Sequence, residues 1–389
     1  MLNTYKYRIM PNKRQTELIN KHIGAVRFLY NLALETKQIA YASKQVSLSR
    51  YDLQKQLVDL KKECEWLKEV NSQSLQVALM NLDAAYLRFF KGQSSFPKFK
   101  KKSNGGSFNI PQNVVLENGK LIIPKFKKGI DIVLHRPIKG EIRQATISRT
   151  PTGKYFVSIL CETGETNKPK ATIKENTSVG IDLGIKTFLV TSNGLEIDNP
   201  KFLRKAQSKL KYVQRKYSKT KGKRTKQRLA LLHEKVVNKR KDFLHKVSTK
   251  LIRENQTIAL EDLAVSNMVK NHNLAQAIND VSWSTFVTML EYKADWYGKN
   301  ILRIGRFAPS SKTCNCGVIN KDLKLSDREW TCKSCGTTHD RDILAACNIK
   351  SFALKNILSG TDRKNQGELS TMVEVLTLEA HPIGYAVGG

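Results

Sequence analysis

The sequence contains no apolar run close to the roughly 20 residues that a membrane-spanning helix needs. Its first residues, Met1 to Lys6, also lack the apolar core of a signal peptide. These two features exclude the usual signals for membrane insertion and export. We therefore expect a cytoplasmic protein with no membrane partner.

Acidic residues are scarce relative to basic ones. The chain has 34 Asp and Glu against 67 Lys and Arg, which leaves a formal net charge of +33. Such a surface attracts polyanions, so a nucleic-acid partner is expected. The charge alone leaves open whether the protein is a ribosomal or chromatin-like binder or a nucleic-acid enzyme. Its 389 residues, 40% of them hydrophobic, predict a globular protein of two or three domains.

Cysteine is also scarce, and four of the seven residues fall into one short segment: Cys314, Cys316, Cys332 and Cys335. Clustering of this kind in a cytosolic chain favours a metal site over disulfides. Cys332-Lys333-Ser334-Cys335 has the CxxC spacing of a zinc knuckle, whereas the partner half-site is the shorter CxC. We expect one structural Zn²⁺, with a strained or weak first half-site. His339 is an alternative ligand, although a lone histidine is more often a surface residue or a neighbour of the ligands.

The first half of the chain changes from a helical to a strand-rich pattern. A short strand at residues 5–10 precedes a helix that begins at Pro11. Two further helices follow at about residues 49–67 and 72–91. Short apolar runs separated by Gly, Pro and Asn then predict a small β-barrel. Its basic loop carries Phe96 and Phe99, and Phe108 and Phe126 follow in the strand-rich part. Stacking by these rings would suit nucleic-acid binding, although each of the four is more simply explained as a core residue. The candidate contacts in this loop are Lys98, Lys100, Lys101 and Lys102.

Residues 201–250 carry 19 Lys or Arg and only two acidic residues. An apolar stripe with helical spacing runs through this charge, and the pattern predicts two helices that meet near Gly222. A charge run is commonly just a solvated face, but solubility is served by mixed signs. We therefore predict nucleic-acid contact by Arg204, Lys205, Lys211, Arg215, Lys216, Lys223, Arg224 and Arg228.

Three carboxylates have unusual surroundings for so basic a chain. Asp182 lies in an apolar strand pattern at residues 178–192, where a lone buried carboxylate is costly. Glu261 follows the strand at residues 257–260 and has a competitor in Asp262. Asp342 precedes a helix at residues 343–358 and could be an ordinary helix cap.

In order, these features have the layout of a ribonuclease H-type sheet followed by a terminal helix. The carboxylates are 79 and 81 residues apart, so folding has to bring them together. Hard oxygen ligands suit Mg²⁺ or Mn²⁺. Two such ions, about 4 Å apart, promote phosphodiester cleavage. We therefore predict a two-metal phosphate-cleaving site.

The ordered motifs together resemble the TnpB (OrfB) family of insertion-sequence proteins, which is related to type V CRISPR effectors. The resemblance covers about residues 1–355. It rests on residues 96–100 (FPKFK), 180–186 (GIDLGIK), 260–263 (LEDL), 310–314 (SSKTC) and 339–342 (HDRD).

The resemblance implies an RNA-guided DNA endonuclease of α/β and α+β multidomain architecture, in which Asp182, Glu261 and Asp342 correspond to a RuvC-like catalytic triad. It also implies a guide RNA from the transposon end, a double-stranded DNA target with a short adjacent motif, and a bacterial, nucleoid-associated monomer holding one RNA. The alternatives are a nuclease-deficient RNA-guided regulator and a transposase that joins DNA strands itself. The expected segments are 1–92 (strand and helical recognition region), 93–170 (WED-like barrel completed by the N-terminal strand), 171–305 (RuvC-like domain), 306–338 (zinc-ribbon insert), 339–358 (final RuvC-like segment) and 359–389 (flexible tail).

Two positions depart from the family pattern. The first cysteine knuckle is CxC instead of CxxC, and Leu344 replaces the Asn that follows the last catalytic Asp by two residues. Both departures lie near Asp342 in the sequence. Asp342 is therefore the member of the triad at which we expect a loss of activity first.

Overall fold

The computed structural model describes residues 1–102, 105–166, 168–324 and 326–359. The chain divides into two compact units, Met1–Thr166 and Asn167–Gly389. Apart from Ser359, the predicted tail lies outside the described residues. The finer division into six segments remains a prediction.

Three helices form the first part of unit 1. The long helix α1 (Lys13–Lys44) begins at a capping box, in which the Asn12 side chain accepts from the backbone N–H of Gln15 and the Gln15 side chain accepts from that of Asn12. Helix α2 (Arg50–Glu63) starts with a second capping box at Ser49, and α3 (Ser72–Phe90) follows a short 3₁₀ turn. Helices α1 and α3 confirm the predictions, whereas the helix predicted at about residues 49–67 ends at Glu63 and is followed by the 3₁₀ turn Glu65–Glu69.

A seven-stranded sheet completes unit 1. Its order is β2-β6-β7-β1-β5-β4-β3, every neighbouring pair is antiparallel, and the N-terminal strand lies at its centre, between β7 and β5. The edges are β2 and β3. The strands are β1 (Leu2–Met10), β2 (Gly106–Ile110), β3 (Val115–Glu117), β4 (Lys120–Ile123), β5 (Phe126–Val133), β6 (Glu141–Arg149) and β7 (Tyr155–Glu162).

The phenylalanines considered as stacking residues divide into two groups. Phe108 and Phe126 are buried in the core that the sheet shares with the helices, whereas Phe96 and Phe99 are exposed. Only the exposed pair, which flanks Lys98, is available to a ligand.

Unit 2 contains a five-stranded sheet of order β10-β9-β8-β11-β12. Strands β8, β11 and β12 are parallel, β9 is antiparallel to β8, and β10 is antiparallel to β9. The strands are β8 (Ser178–Leu183), β9 (Thr187–Thr191), β10 (Glu196–Asp198), β11 (Thr257–Glu261) and β12 (Asn300–Ile304).

The prediction of one continuous strand over residues 178–192 was wrong. The chain turns after Leu183 and returns as β9, with the N–H of Gly184 donating to the carbonyl of Phe188 at 3.2 Å. A side chain at Gly184 would place a Cβ 2.6 Å from the Thr187 oxygen, so this tight turn requires glycine. The apolar residues on both sides of the turn had hidden it, because each belongs to a buried strand.

Helices cover both faces of this sheet. One face packs on α5 and α8 through a core that includes Val179, Ile181 and Phe286. The other face packs on α9, where Ala259 and Ile349 share a core. The helices are α4 (Phe202–Thr220), α5 (Lys223–Glu254), α6 (Val265–Met268), α7 (His272–Val281), α8 (Trp283–Tyr297) and α9 (Arg341–Leu358). None of the helices in the described ranges has the length and apolar character needed to cross a bilayer.

Helix α9 crosses the sheet in close contact with β8. A Cβ built on Gly180 would lie 2.0 Å from the Ala346 carbonyl oxygen and 2.7 Å from the Lys350 nitrogen. Glycine is therefore needed here to let the helix backbone approach the strand. This contact brings the first turn of α9 towards the end of β8.

Candidate active site and metal centre

Strand alternation places Asp182 and Glu261 on the α9 face of the sheet. Asp182 is two residues beyond Gly180 in β8, and Glu261 is two residues beyond Ala259 in β11, so each shares its neighbour's face. Gly180 is paired with Ala259 in the parallel register. Continuing this register by two residues sets Glu261 beside Asp182 on the adjacent strand.

The third carboxylate, Asp342, lies in the first turn of α9. It is not the helix cap that the sequence left open as an alternative. Asp340 is the cap, and its side chain accepts from the backbone N–H groups of Asp342 and Ile343 at 2.9 and 2.8 Å. The side chain of Asp342 is therefore available for other contacts.

The negative charges of Glu261 and Asp342 both act on Asp182. Burial, followed by the negative charges of Glu261 and Asp342, raises the pKa of Asp182 to about 7. The positive charge of Arg341 and the backbone N–H of Leu183 act in the opposite direction and do not cancel these effects. A carboxylate whose ionised form is this unfavourable is suited to bind a cation.

Tertiary contacts distinguish Glu261 from its neighbour Asp262. Asp262 forms ion pairs with the exposed side chains of Arg303 and Arg306, at 3.4 and 2.8 Å. Glu261 instead accepts a hydrogen bond of 2.5 Å from the hydroxyl of Ser310. Asp262 is thus neutralised by arginines, and Glu261 is the carboxylate whose charge acts on Asp182.

Asp342 forms an ion pair with Arg328, whose Nη1 lies 3.0 and 3.3 Å from the two carboxylate oxygens. Ser310 and Arg328 thus hold two of the three carboxylates, Glu261 and Asp342.

Because its pKa is raised, Asp182 should make the metal-free protein less stable as the pH rises. The pKa of this carboxyl is about 7 in the folded protein and 3.8 in the unfolded chain. The contribution of Asp182 to the free energy of unfolding is therefore fully present below pH 4 and is lost as the pH rises through 7. A shift of this size corresponds to on the order of 4 kcal/mol. Urea unfolding in chelator from pH 4 to 8 should show the loss in the parent and in Asp262→Asn. Asp182→Asn, which cannot ionise, should lack this loss, and an equal loss in that variant would contradict the assignment.

The cysteine segment contains a compact four-sulfur cluster. Cys314 Sγ lies 3.5 Å from Cys335 Sγ, and Cys316 Sγ lies 3.7 Å from Cys332 Sγ. Four thiolates around a tetrahedral zinc, each about 2.3 Å from the ion, would be separated by about 3.8 Å. The residues therefore fit zinc, and both sulfurs of the CxC half-site lie within the four-sulfur cluster. The side-chain and backbone groups of Thr337 also lower the pKa of Cys335 to about 6.

The cluster is joined to α9 by Leu344, the second departure from the family pattern. Leu344 is buried in a small core with Cys314, Cys332, Leu323 and Trp330. An apolar side chain at this position therefore packs against the cysteine segment. A hairpin of β13 (Glu329–Thr331) and β14 (Thr338–Asp340) leads from the cluster directly into the helix.

All twelve predicted nucleic-acid contacts are exposed, four in the loop after α3 and eight along α4 and α5. Lys100 differs from the others, because its ammonium lies 3.8 Å from the centre of the Tyr30 ring and its desolvation lowers its pKa. Part of its role is therefore to pack this loop. The contacts with nucleic acid remain predictions.

Asp280 anchors the basic helices, a role that no sequence pattern indicated. This residue of α7 is buried, and its carboxylate accepts from the backbone N–H groups of Leu203 and Arg204 at the start of α4. It also forms a 2.8 Å ion pair with Arg240 of α5. One side chain thus caps α4 and fixes both basic helices to unit 2. In the sequence, the one hint of this role is that Asp280 lies in an amphipathic segment.

Ser310 and Arg328 were also missed as site residues. Ser310 lies in a motif that the sequence had singled out, residues 310–314, but its contact with Glu261 spans 49 residues. The Ser310 carbonyl also accepts from the buried Asn348 of α9 at 2.7 Å. No local signal marks Arg328 among so many basic residues.

Comparison with known proteins gives matches along most of the chain. Residues 158–272 match the OrfB family of IS605 elements, described as "Probable transposase". Residues 283–349 match a Cas12f1-like TNB domain, and residues 1–45 match a helix-turn-helix domain of the same OrfB group.

Two relatives that match over nearly their whole length are named "Putative RNA-guided DNA endonuclease". A Streptomyces pristinaespiralis protein is 39% identical over 94% of this chain and 93% of its own length. InsQ of Escherichia coli K12 is 30% identical over 90% of this chain and 91% of its own length. Among solved structures, the fold is similar to that of Cas12f1 in a complex with sgRNA and target DNA, with a TM-score of 0.54, 14% identity, and coverage of 87% of this chain and 83% of that one. Extended similarity of this kind to relatives of matching length shows that the chain belongs to the TnpB (OrfB) family.

Proposed function

We propose that the protein is a transposon-associated, RNA-guided DNA endonuclease that hydrolyses phosphodiester bonds at Asp182, Glu261 and Asp342. The observation that carries this proposal is the convergence of three carboxylates from β8, β11 and α9 on one face of the sheet, where Glu261 and Asp342 raise the pKa of Asp182. The names of the full-length relatives support the same activity.

The order and direction of the strands in unit 2 support a RuvC-like, ribonuclease H-type assignment for this sheet. The three carboxylates are the residues that would hold Mg²⁺ or Mn²⁺. A pair of bound ions would activate a water and stabilise the leaving oxygen. Ser310 would orient Glu261, and the Asp340 cap would fix the start of the helix that carries Asp342. The four cysteines would hold one structural Zn²⁺.

Unit 1 supplies a second expected surface for nucleic acid. We assign its sheet and helices α1 to α3 as a WED-like and recognition region that holds the guide RNA and its pairing with the target. Base pairing would then select the sequence, and the protein would contact the backbone and a short adjacent DNA motif. The working form in this proposal is a monomer with one RNA, acting in the bacterial cytoplasm at the nucleoid.

Sequencing the RNA that copurifies with the full chain tests this proposal most directly. We expect a discrete RNA from the transposon end, and a complex that cuts DNA matching that RNA in Mg²⁺ or Mn²⁺. Binding of matched DNA without cutting would favour a nuclease-deficient regulator. Strand-transfer products formed without any RNA would favour a transposase that acts directly.

Charge removal from α4 and α5 should flatten the salt dependence of nucleic-acid binding. Removing one phosphate-binding charge reduces the slope of log affinity against log salt by about 0.9 on duplex DNA and about 0.7 on a single strand. A variant with Lys211, Arg215, Lys216, Arg224 and Arg228 changed to Gln should therefore bind more weakly and with a smaller slope. Exchanging Lys and Arg at the same positions keeps the charge and should preserve the slope. If the Gln variant kept the parental slope, these residues would merely face solvent.

A further inference from the structure

His339 lies in the hairpin that leads from the cysteine cluster into α9. Its Nε2 is 3.1 Å from Cys314 Sγ, and its side chain is buried, with only 6% exposed. The imidazole packs against Trp330, with 5.0 Å between the ring centroids. It does not belong to the group of four sulfur atoms that lie within 4.8 Å of one another. The histidine is thus a neighbour of the potential metal ligands.

The chemistry of Cys314 determines the direction of this contact. A cysteine that ligates a metal is a thiolate, which has no proton to donate. The hydrogen bond therefore runs from the Nε2–H of His339 to the sulfur of Cys314. Such partners of metal ligands fix the orientation of the ligand and tune its affinity. This one lies beside the half-site that is shortened to CxC.

The same residue is connected to the catalytic helix by a very short path. His339 is the middle residue of β14, and the next residue, Asp340, caps α9 through the N–H groups of Asp342 and Ile343. Only two residues separate His339, which makes the sulfur contact, from Asp342. A displacement of β14 therefore has to displace the cap.

The opposite strand of the hairpin reinforces this connection. The backbone N–H of Arg341 donates to the carbonyl of Arg328 at 2.8 Å, while the Arg328 side chain pairs with Asp342. Leu344, one turn inside the helix, is buried with Cys314 and Cys332. The cysteine segment therefore contacts the start of α9 through the Arg341 backbone, the Asp342 side chain and the buried Leu344.

We propose that His339 is a positioning residue that couples metal binding at the cysteines to the placement of Asp342. The inference rests on the two metal sites of the proposed function. Metal loading fixes Cys314, the hydrogen bond to Cys314 fixes β14, and β14 fixes the cap and first turn of α9. Leu344, which fills the core beneath the cluster, makes this connection rigid.

The experiment compares His339→Leu with His339→Gln in the full chain. Leucine keeps the apolar packing against Trp330 but cannot donate, whereas the glutamine Nε2 can donate from nearly the position of the imidazole Nε2. Zinc affinity is measured by chelator competition. The Mn²⁺ affinity of the carboxylates is measured by electron paramagnetic resonance on zinc-loaded protein without nucleic acid. Cobalt substitution reports the sulfur ligation through its charge-transfer band.

We expect His339→Leu to lose about 10- to 100-fold in zinc affinity, the range found for partners of metal ligands, to shift the cobalt band, and to bind Mn²⁺ more weakly. His339→Gln should stay close to the parent in all three measurements. Parental zinc affinity in His339→Leu would overturn the role of the hydrogen bond, as would equal losses in both variants. Weakened zinc binding with parental Mn²⁺ affinity would overturn the coupling. Because none of the three measurements involves DNA cutting, a parent that binds both metals but leaves DNA intact would refute only the nuclease function.

Discussion

Replacing Asp182 by Asn or Glu261 by Gln should reduce cleavage of matched DNA by more than about 10³-fold, since removing even one transition-state hydrogen-bond donor costs 10²- to 10³-fold in other enzymes. Each change preserves the shape of the side chain and removes the negative charge that would hold the metal ions. Binding of the guide RNA and of the matched target should remain close to parental, because those surfaces are unchanged. The measurement is the single-turnover cleavage rate at saturating complex.

Asp262→Asn is the matched control for these two variants. It removes a carboxylate one residue from Glu261, but that carboxylate pairs with Arg303 and Arg306, and exposed ion pairs contribute only about 0–1 kcal/mol. We expect a nearly parental cleavage rate. A parental rate in Asp182→Asn, or a collapse in Asp262→Asn with activity retained in Glu261→Gln, would mean that the triad is misassigned.

Gly180→Ala should strongly destabilise unit 2. The new Cβ would lie 2.0 Å from the Ala346 oxygen and 2.7 Å from the Lys350 nitrogen, and both are backbone atoms that cannot rotate away. Overpacking commonly costs 1–3 kcal/mol, and we expect about 3 kcal/mol or more here, because α9 has to move as a whole. Denaturant unfolding measures the change. Since α9 carries Asp342, the Mn²⁺ affinity of the folded variant should fall as well.

Gly305→Ala provides the comparison within the same unit. Gly305 follows β12 and is exposed, and a Cβ added to it would have no atom within 4 Å. Its replacement should leave both stability and Mn²⁺ affinity unchanged. If Gly180→Ala were as stable as Gly305→Ala, the close packing of α9 on β8 would be wrong.

The three carboxylates show which features of the site can be predicted from local sequence and which cannot. The apolar run around Asp182 indicated a buried acid, because an inward-facing charge is costly without a ligand. The choice between Glu261 and Asp262 was open from the residues alone, since both follow the same strand. It is decided by Arg303, Arg306 and Ser310, which are distant in sequence.

The turn at Gly184 and the role of Leu344 show where local patterns fail. Hydrophobicity does not reveal a turn between two strands that are both buried, so β8 and β9 appeared as one. Leu344 looked like a defect beside Asp342, yet it is buried with Cys314 and Cys332. Its packing partners belong to another segment, and no local pattern could identify them.

Three carboxylates in order, four clustered cysteines and two strongly basic helices joined at Gly222 can all be recognised from the sequence alone. The spacing and surroundings of each group are local properties, which local patterns report. How the groups act together depends on contacts between distant segments. Gly180 approaches Ala346, Asp280 binds the start of α4, and His339 contacts Cys314. No local pattern predicts these contacts, because they depend on how strands and helices pack against one another.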